Sequence, residues 1–319
     1  MYPADGTTYE ELLVNADLAM YAAKSSGRNT YAPYAVELAE IALARHALEN
    51  DLTLAVHAKE LSVQYQPKIS CKNGRIQGAE ALVRWVHPTL GNVPPSHFVQ
   101  IAEEIGLIGE IDRFVLERSL REIGDLIASG SDIVLAVNVT ATEIEDPLFI
   151  NDIVAAVREA QFPPSRLEIE ITESIAMRNP DLVCERINLL RQLGIRFAID
   201  DFGAGYSNLA TMARLPFDTV KLDRSLVSGV AQDPEKQAIV RIAIRLAEEL
   251  GFETVAEGIE TMEDLHFVAE SGATLAQGFV FSPPVSLLEF SALVQPNRLK
   301  SGEHADTDRE MPSARERAM

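Results

Sequence analysis

The sequence has 319 residues, of which 47% are hydrophobic and 24% are charged, and its 48 acidic residues outnumber 28 basic ones to give a net charge of −20. This composition is typical of a globular protein with a sizeable core, and it excludes a collagen, a long disordered chain and a disulfide-stapled miniprotein. The negative charge repels polyphosphates, so duplex nucleic acid is not an expected partner, and an anionic substrate would need a recruited cation.

Residues 1–33 predict one turn followed by one helix. Residues 2–6 are typical of a turn, Thr8 and Glu11 have the spacing of a capping box, and Gly27 would end the helix. One turn and one helix cannot bury a core of their own. We therefore expect residues 1–33 to be the end of a larger domain.

Residues 34–60 predict an amphipathic connector helix. The segment contains no Gly or Pro, and apolar residues recur near a 3.6-residue period at Leu38, Ile41, Leu48 and Leu52. This apolar stripe would pack either on the following domain or on a second copy of itself. The sequence leaves both alternatives open.

Short strand-like runs alternate with helical stretches over residues 61–295. Runs such as 133–137 are apolar on both faces, which is typical of buried parallel strands. Eight strands with intervening helices favour a (β/α)8 barrel. A doubly wound open sheet is the alternative, weakened because no G-x-G-x-x-G follows the first strand. The predicted strands are 62–69, 76–84, 132–138, 166–172, 195–200, 218–222, 253–256 and 274–276, and the predicted helices include 113–128, 149–160, 181–193 and 235–250.

Polar side chains stand at the ends of seven successive predicted strands. In a barrel these strand ends open on one face, so the side chains would meet at one rim. Each residue alone is more typical of a cap or a solvated loop, but together they form a dense carboxylate cluster that needs cations. Oxygen ligands of this kind suit one or two Mg²⁺ or Mn²⁺ ions, and the lack of Cys and His disfavours zinc. The residues are Glu80, Asn138, Glu170, Asp200, Asp201, Lys221, Glu257 and Gln277.

The motifs around these residues resemble the EAL-domain family, metal-dependent phosphodiesterases that hydrolyse the bacterial second messenger cyclic di-GMP. Glu80-Ala81-Leu82 stands within GAEALVRWVHP, and the other motifs follow in the family order across nearly all of 61–285: YQP, GNVPPSHF, VNVT, EITE, IDDFGAGYSNL, VKLDRSLV, AEGIE and AQGFVFSPP. The linked set is far more specific than one tripeptide. The resemblance implies an α/β fold, a modified TIM-like (β/α)8 barrel with one antiparallel strand.

The resemblance also implies how the rim residues act. The first of two Mg²⁺ or Mn²⁺ ions would be bound by Glu80, Asn138, Glu170 and Asp200, and the second by Asp200, Asp201 and Glu257. Two such ions activate a bridging water for in-line displacement at phosphorus. Lys221 would position or deprotonate that water, and Glu257 would orient water near the second ion.

The substrate contacts and one loop anchor follow from the same resemblance. The substrate-binding residues would be Gln66, Leu82, Arg84 and Gln277, with Arg84 suited to a phosphate oxygen. Glu173 alone is typical of a solvated acid at a strand end. The resemblance instead implies that Glu173 anchors loop 202–209, which carries Asp201, and so contributes to catalysis.

The function predicted on this basis is hydrolysis of cyclic di-GMP to linear pGpG by a homodimer. A receptor that binds cyclic di-GMP without cutting it is the alternative, but such receptors typically lack a metal ligand or the lysine, which this chain retains. A purely structural, partner-binding barrel is a further alternative. One departure from the family is Pro283-Pro284, where Lys or Arg often precedes the proline.

The two ends of the chain predict different things. EELLVNADLAMYAAKSSGRNTY resembles the last helix and strand of a GGDEF domain without its nucleotide-binding part, so no cyclase activity is expected. Residues 296–319 have almost no apolar content and predict a disordered tail.

Cys71 and Cys184 predict reduced thiols. Without a membrane span or signal peptide, we expect a cytoplasmic chain, alone or within a longer membrane-anchored or sensor-linked protein.

Overall fold

Nine strands form one sheet in the computed structural model, which describes residues 1–25, 31–203 and 214–294. The sheet order is β1-β9-β8-β7-β6-β5-β4-β2, and pairing of β1 with β2 closes it into an eight-stranded barrel, with β3 added outside on β2. The strands are β1 (Ser62–Ser70), β2 (Ile76–His87), β3 (Gly91–Val93), β4 (Val134–Asn138), β5 (Leu167–Thr172), β6 (Arg196–Phe202), β7 (Thr219–Leu222), β8 (Glu253–Ala256) and β9 (Leu275–Ala276).

Strand β1 runs opposite to the rest of the barrel. It pairs antiparallel with both β2 and β9, whereas the remaining barrel pairs are parallel. This arrangement confirms the modified barrel and shows that the open-sheet alternative is wrong. The register places Gln66 opposite Glu80, so β1 begins at the rim where the parallel strands end.

Helices surround the barrel, and the four helices predicted at 113–128, 149–160, 181–193 and 235–250 are present with slightly different ends. Among the described residues the α-helices are α1 (Tyr9–Ser25), α2 (Val36–Ala58), α3 (Pro95–Ile105), α4 (Ile108–Ala128), α5 (Ala141–Glu145), α6 (Phe149–Glu159), α7 (Glu173–Arg178), α8 (Pro180–Arg191), α9 (Arg224–Val227), α10 (Pro234–Glu249), α11 (Met262–Glu270) and α12 (Leu287–Val294). In these described stretches, no helix has the length and apolar character needed to cross a bilayer.

Helix α1 begins as its sequence predicts. The backbone N–H of Glu11 donates to Thr8 Oγ1, and the Thr8 N–H donates to Glu11 Oε2, each at 3.2 Å, which completes the capping box. Gly27, the predicted end of this helix, lies outside the described residues. Both capping hydrogen bonds lie at the protein surface.

Helix α2 is the predicted connector, and its apolar stripe is divided between two environments. Leu52 is fully buried and belongs to the barrel core, and Leu48 packs against that core. Ile41, nearer the start of the helix, is 63% exposed. The end of α2 therefore packs on the barrel, whereas the exposed side chain of Ile41 leaves the second-copy alternative open for the first turns.

Replacing Leu52 by Ala is expected to lower the free energy of unfolding by about 2–5 kcal/mol, because the change leaves a cavity in the core. Leu54→Ala on the same helix is the matched control. Leu54 is 66% exposed, so its loss should change stability by less than about 0.5 kcal/mol. Urea denaturation followed by the fluorescence of the single tryptophan, Trp85, measures both. Equal effects would show that α2 does not pack on the barrel through Leu52.

Candidate active site

Strand β5 directs two acidic side chains into the interior of the barrel. In its sequence LEIEIT, residues Leu167, Ile169 and Ile171 alternate with Glu168 and Glu170, and all five are buried. Alternate residues of a strand point to opposite faces, so the two glutamates share one face. That face is the barrel interior, because Glu170 contacts lysines on β1 and β7, neither of which neighbours β5 in the sheet.

Lys221 lies at the centre of the predicted rim cluster. Its side chain is 1% exposed, and its Nζ lies within 3.6 Å of four carboxylates that come from different strands or strand ends. The distances are 2.7 Å to Glu170 Oε2, 2.8 Å to Glu257 Oε1, 3.1 Å to Asp200 Oδ1 and 3.6 Å to Glu80 Oε2. The barrel therefore brings together residues that span positions 80 to 257 of the chain.

The cluster contains more carboxyl groups than lysines, since four of them lie around Lys221. Burial raises the pKa of Glu80 and of Asp200, and nearby carboxylates add to the effect. Burial also raises the pKa of Glu257 to about 8, although Lys221 acts in the opposite direction. Glu170 differs, because its two lysine contacts outweigh burial and lower its pKa to about 2. A bound cation would favour the ionised form of these carboxyl groups.

Two glutamines and one asparagine surround Glu80. Gln277 Nε2 donates to Glu80 Oε2 at 2.6 Å and to Gln66 Oε1 at 3.1 Å, and Asn138 Nδ2 donates to Glu80 Oε1 at 3.0 Å. The Oε1 atom of Gln277 is buried and has no hydrogen-bond partner within the described part of the chain. A buried acceptor of this kind is available for a donor on a bound ligand.

A cavity of about 240 Å³ opens above this cluster. Its lining includes seven of the predicted site residues: Gln66, Glu80, Leu82, Asp200, Lys221, Glu257 and Gln277. Five other residues line it that the sequence analysis did not select: Arg224, Gly258, Glu260, Gly278 and Phe279. Each of these five lies within three residues of Lys221, Glu257 or Gln277 in the sequence, and this proximity could have indicated them.

The other five predicted site residues do not line this cavity: Arg84, Asn138, Glu170, Glu173 and Asp201. Asp201 adopts a left-handed backbone conformation with φ of 56°, which is uncommon for a residue other than glycine. Burial and the carboxylate of Asp223 raise the pKa of Asp201. The guanidinium of Arg84 donates instead to Gln64 Oε1 at 2.9 Å and to the Val83 carbonyl at 2.8 Å.

Glu173 is the first residue of α7 and is 7% exposed, so its interpretation as a solvated acid is wrong. Its Oε2 is buried without a hydrogen-bond partner among the described residues. Most of loop 202–209, which Glu173 is predicted to anchor, lies outside the described residues. The anchoring contact therefore stays a prediction.

Lys68 and Glu168 form a second ion pair in the barrel interior that the sequence analysis missed. Lys68 Nζ lies 2.9 Å from Glu168 Oε1 and 2.6 Å from Glu170 Oε1. Strand periodicity offered a signal, because Lys68 shares a strand face with Gln66 and Glu168 shares one with Glu170. Within the described ranges, no three acidic, histidine or cysteine side chains are arranged as ligands around one metal position. The Lys221 ammonium instead lies between the carboxylates.

The EAL domain family matches residues 49–284 of the chain. Cyclic di-GMP phosphodiesterase NbdA of Pseudomonas aeruginosa is 36% identical over 288 residues, covering 90% of this chain and 37% of that protein. Cyclic di-GMP phosphodiesterase PdeR of Escherichia coli is 33% identical over 288 residues, covering 90% and 43%. The chain thus spans less than half the length of these curated relatives.

A similar barrel occurs in a solved structure, the PaMucR phosphodiesterase in complex with c-di-GMP. The two structures superpose with a TM-score of 0.74 at 35% sequence identity, covering 76% of this chain and 99% of the other. The similarity extends over nearly the whole of that solved structure.

Proposed function

This chain belongs to the EAL domain family, and on that premise we propose that it hydrolyses cyclic di-GMP to linear pGpG. The observation that carries the proposal is the buried cluster in which Lys221 contacts four carboxylates at the floor of a cavity. Relatives that match 90% of the chain are named cyclic di-GMP phosphodiesterases. The cavity and the relatives therefore point to the same reaction.

The residues of the cluster fit divalent cations. Carboxylate and amide oxygens are the ligands that Mg²⁺ and Mn²⁺ prefer, and buried carboxylates outnumber the ammonium groups beside them. Glu80, Asn138, Glu170 and Asp200 would hold one ion, and Asp201 and Glu257 would hold a second together with Asp200. Such ions, when bound, lower the pKa of water and stabilise charge on the phosphoryl oxygens.

The chain's own side chains orient the reactants. The Lys221 ammonium, fixed by its carboxylates, lines the cavity and would donate a hydrogen bond to the attacking water. The water would lose a proton as its oxygen bonds to phosphorus, the bond from phosphorus to the 3′ oxygen would break, and that 3′ oxygen would take up a proton. The product thus keeps its phosphate on the 5′ side. Gln66, Leu82 and Gln277 line the cavity and would contact the substrate. Arg84 lies two residues after Leu82 on β2.

Incubation of the purified chain with cyclic di-GMP and either Mg²⁺ or Mn²⁺ tests the proposal. We expect linear pGpG by chromatography, and no product when EDTA removes the metal. Binding of cyclic di-GMP without any product would favour the alternative, a receptor of the same family. If the chain neither binds nor hydrolyses cyclic di-GMP, the remaining alternative is a structural, partner-binding barrel.

The remaining proposals concern the regions outside the barrel. We infer that residues 1–33 are the end of a GGDEF domain, that 34–60 connect it to the phosphodiesterase barrel at 61–295, and that two copies form a homodimer. The capping box of α1 supports the helix predicted within 1–33, and the packing of α2 on the core supports its role as the connector to the barrel. The predicted tail, 296–319, lies outside the described residues.

Glu173→Ala is expected to leave the fold intact and to remove most of the activity at limiting Mn²⁺, with excess Mn²⁺ restoring part of it. The reason is that Glu173, buried at the start of α7, would anchor the loop that carries Asp201. Glu185→Ala, an exposed acid on α8, is the matched control and should behave as the wild type. Rates measured across a Mn²⁺ titration give the answer. An unchanged rate and an unchanged Mn²⁺ dependence would remove Glu173 from the site.

A further inference from the structure

Lys68 is a buried lysine to which the proposed function assigns no role. It lies on β1, is 2% exposed, and contacts only carboxylates of β5 among the ion pairs of the described residues. The strands β1 and β5 are not neighbours in the sheet. The Lys68 side chain therefore crosses the barrel interior to reach Glu170 from below the rim.

Glu170 is held by one lysine on each of its two oxygens. Lys68 Nζ lies 2.6 Å from Oε1, and Lys221 Nζ lies 2.7 Å from Oε2. The Glu170 side chain is fully buried. Rotating this carboxylate would break a charge-assisted hydrogen bond in a buried site, so its orientation is strongly restricted.

Lys68 is itself held in place from its other side. Glu168 Oε1 lies 2.9 Å from Lys68 Nζ, and Glu168 Oε2 accepts a hydrogen bond of 2.7 Å from Thr219 Oγ1. Arg196 Nε lies 3.8 Å from the same Glu168 oxygen. A chain of polar contacts thus connects Thr219 to Glu168, Glu168 to Lys68, and Lys68 to Glu170.

We propose that Lys68 is a positioning residue that fixes Oε1 of Glu170 below the rim and so directs Oε2 toward the metal and Lys221. This inference rests on the proposed metal-dependent hydrolysis. Residues behind a ligand that orient it typically change metal affinity by 10–100-fold when they are replaced. Lys68 would be such a residue, supplied by the one antiparallel strand of the barrel.

The sign of the effect separates positioning from simple charge. If Lys68 contributed only positive charge, its removal would make the cluster more negative and would tighten Mn²⁺ binding. If Lys68 orients Glu170, its removal lets the carboxylate rotate and weakens Mn²⁺ binding. The two roles therefore predict opposite changes in the same measurement.

Three variants test the proposal: Lys68→Met, Glu168→Gln, and both together. Mn²⁺ binding is measured by calorimetry on the nucleotide-free protein, and kcat and KM are measured with cyclic di-GMP. We expect Lys68→Met to weaken Mn²⁺ about tenfold or more and to lower kcat more than it raises KM. Glu168→Gln keeps the contact between Lys68 and Glu170, so its Mn²⁺ affinity should stay within about twofold of the wild type.

The double variant distinguishes positioning from an unpaired buried charge. It removes one whole ion pair, so it should regain melting temperature relative to Lys68→Met while its Mn²⁺ affinity stays low. If Lys68→Met does not fold, the Mn²⁺ affinity of the double variant is compared with that of Glu168→Gln instead. Unchanged or tighter Mn²⁺ binding in Lys68→Met, or full recovery in the double variant, would overturn the proposal. A wild type that binds Mn²⁺ without hydrolysing cyclic di-GMP would contradict the proposed function and leave the binding comparison valid.

Discussion

Asp200→Asn is expected to lower kcat/KM for cyclic di-GMP by about a thousandfold or more, equivalent to about 4 kcal/mol of transition-state stabilisation. The substitution keeps the shape of the side chain and removes one carboxylate from the cluster around Lys221, to which Asp200 Oδ1 lies 3.1 Å away. Both proposed metal ions would lose a ligand. Steady-state rates at saturating Mn²⁺ measure the loss.

Asp125→Asn is the matched control for this substitution. Asp125 is an exposed aspartate on α4, so the same chemical change there should leave the rate within about twofold of the wild type. Glu80→Ala should be as damaging as Asp200→Asn, but it also removes the acceptor for Gln277 and Asn138. Full activity in Asp200→Asn would contradict the metal assignment at the rim.

Lys221→Met is expected to abolish measurable turnover while leaving the affinity for cyclic di-GMP measurable. A group that positions the attacking water acts mainly in the transition state, so its loss affects the rate far more than substrate binding. Methionine keeps most of the side-chain volume, which limits the packing defect. Binding measured by calorimetry and turnover measured by chromatography separate the two effects.

The same variant should also be less stable. Removing one partner of a buried ion pair typically costs about 3–5 kcal/mol, because the remaining charges lose their neutralising partner, and Lys221 has four carboxylate contacts within 3.6 Å. Saturating Mn²⁺ should restore part of the melting temperature, since a bound cation would replace the missing charge. Loss of affinity together with rate, and no rescue by Mn²⁺, would make Lys221 a structural residue instead.

The parallel part of the barrel can be predicted from sequence because several of its strands are short apolar runs followed by a polar residue. In β6, for example, Phe197, Ala198 and Ile199 are fully buried and Asp200 follows at the rim. Strand β3 was not predicted, because a run of three residues at the edge of the barrel carries too little periodicity.

The site was predicted less completely than the fold. Motif positions indicated the rim residues, but Lys68 contacts Glu170 across 102 residues of sequence, and no local pattern reports such a pairing. Buried charges also look the same as solvated charges in a sequence, which is why Glu173 alone predicted an exposed acid. The hydrogen bond from Arg84 to Gln64 was not predicted either, because it depends on the register of β1 with β2.

The reversed direction of β1 determines at which end the connector joins the barrel. In an all-parallel barrel, a helix that precedes the first strand meets the end remote from catalysis. Here α2 ends at Ala58, four residues before β1 begins at the rim of the Lys221 cluster, and Asp51 Oδ2 of α2 lies 3.1 Å from His87 Nε2 at the end of β2. Helix α2 is therefore connected directly to the rim end of the strand pair that carries Gln66 and Glu80, and not to the opposite end of the barrel.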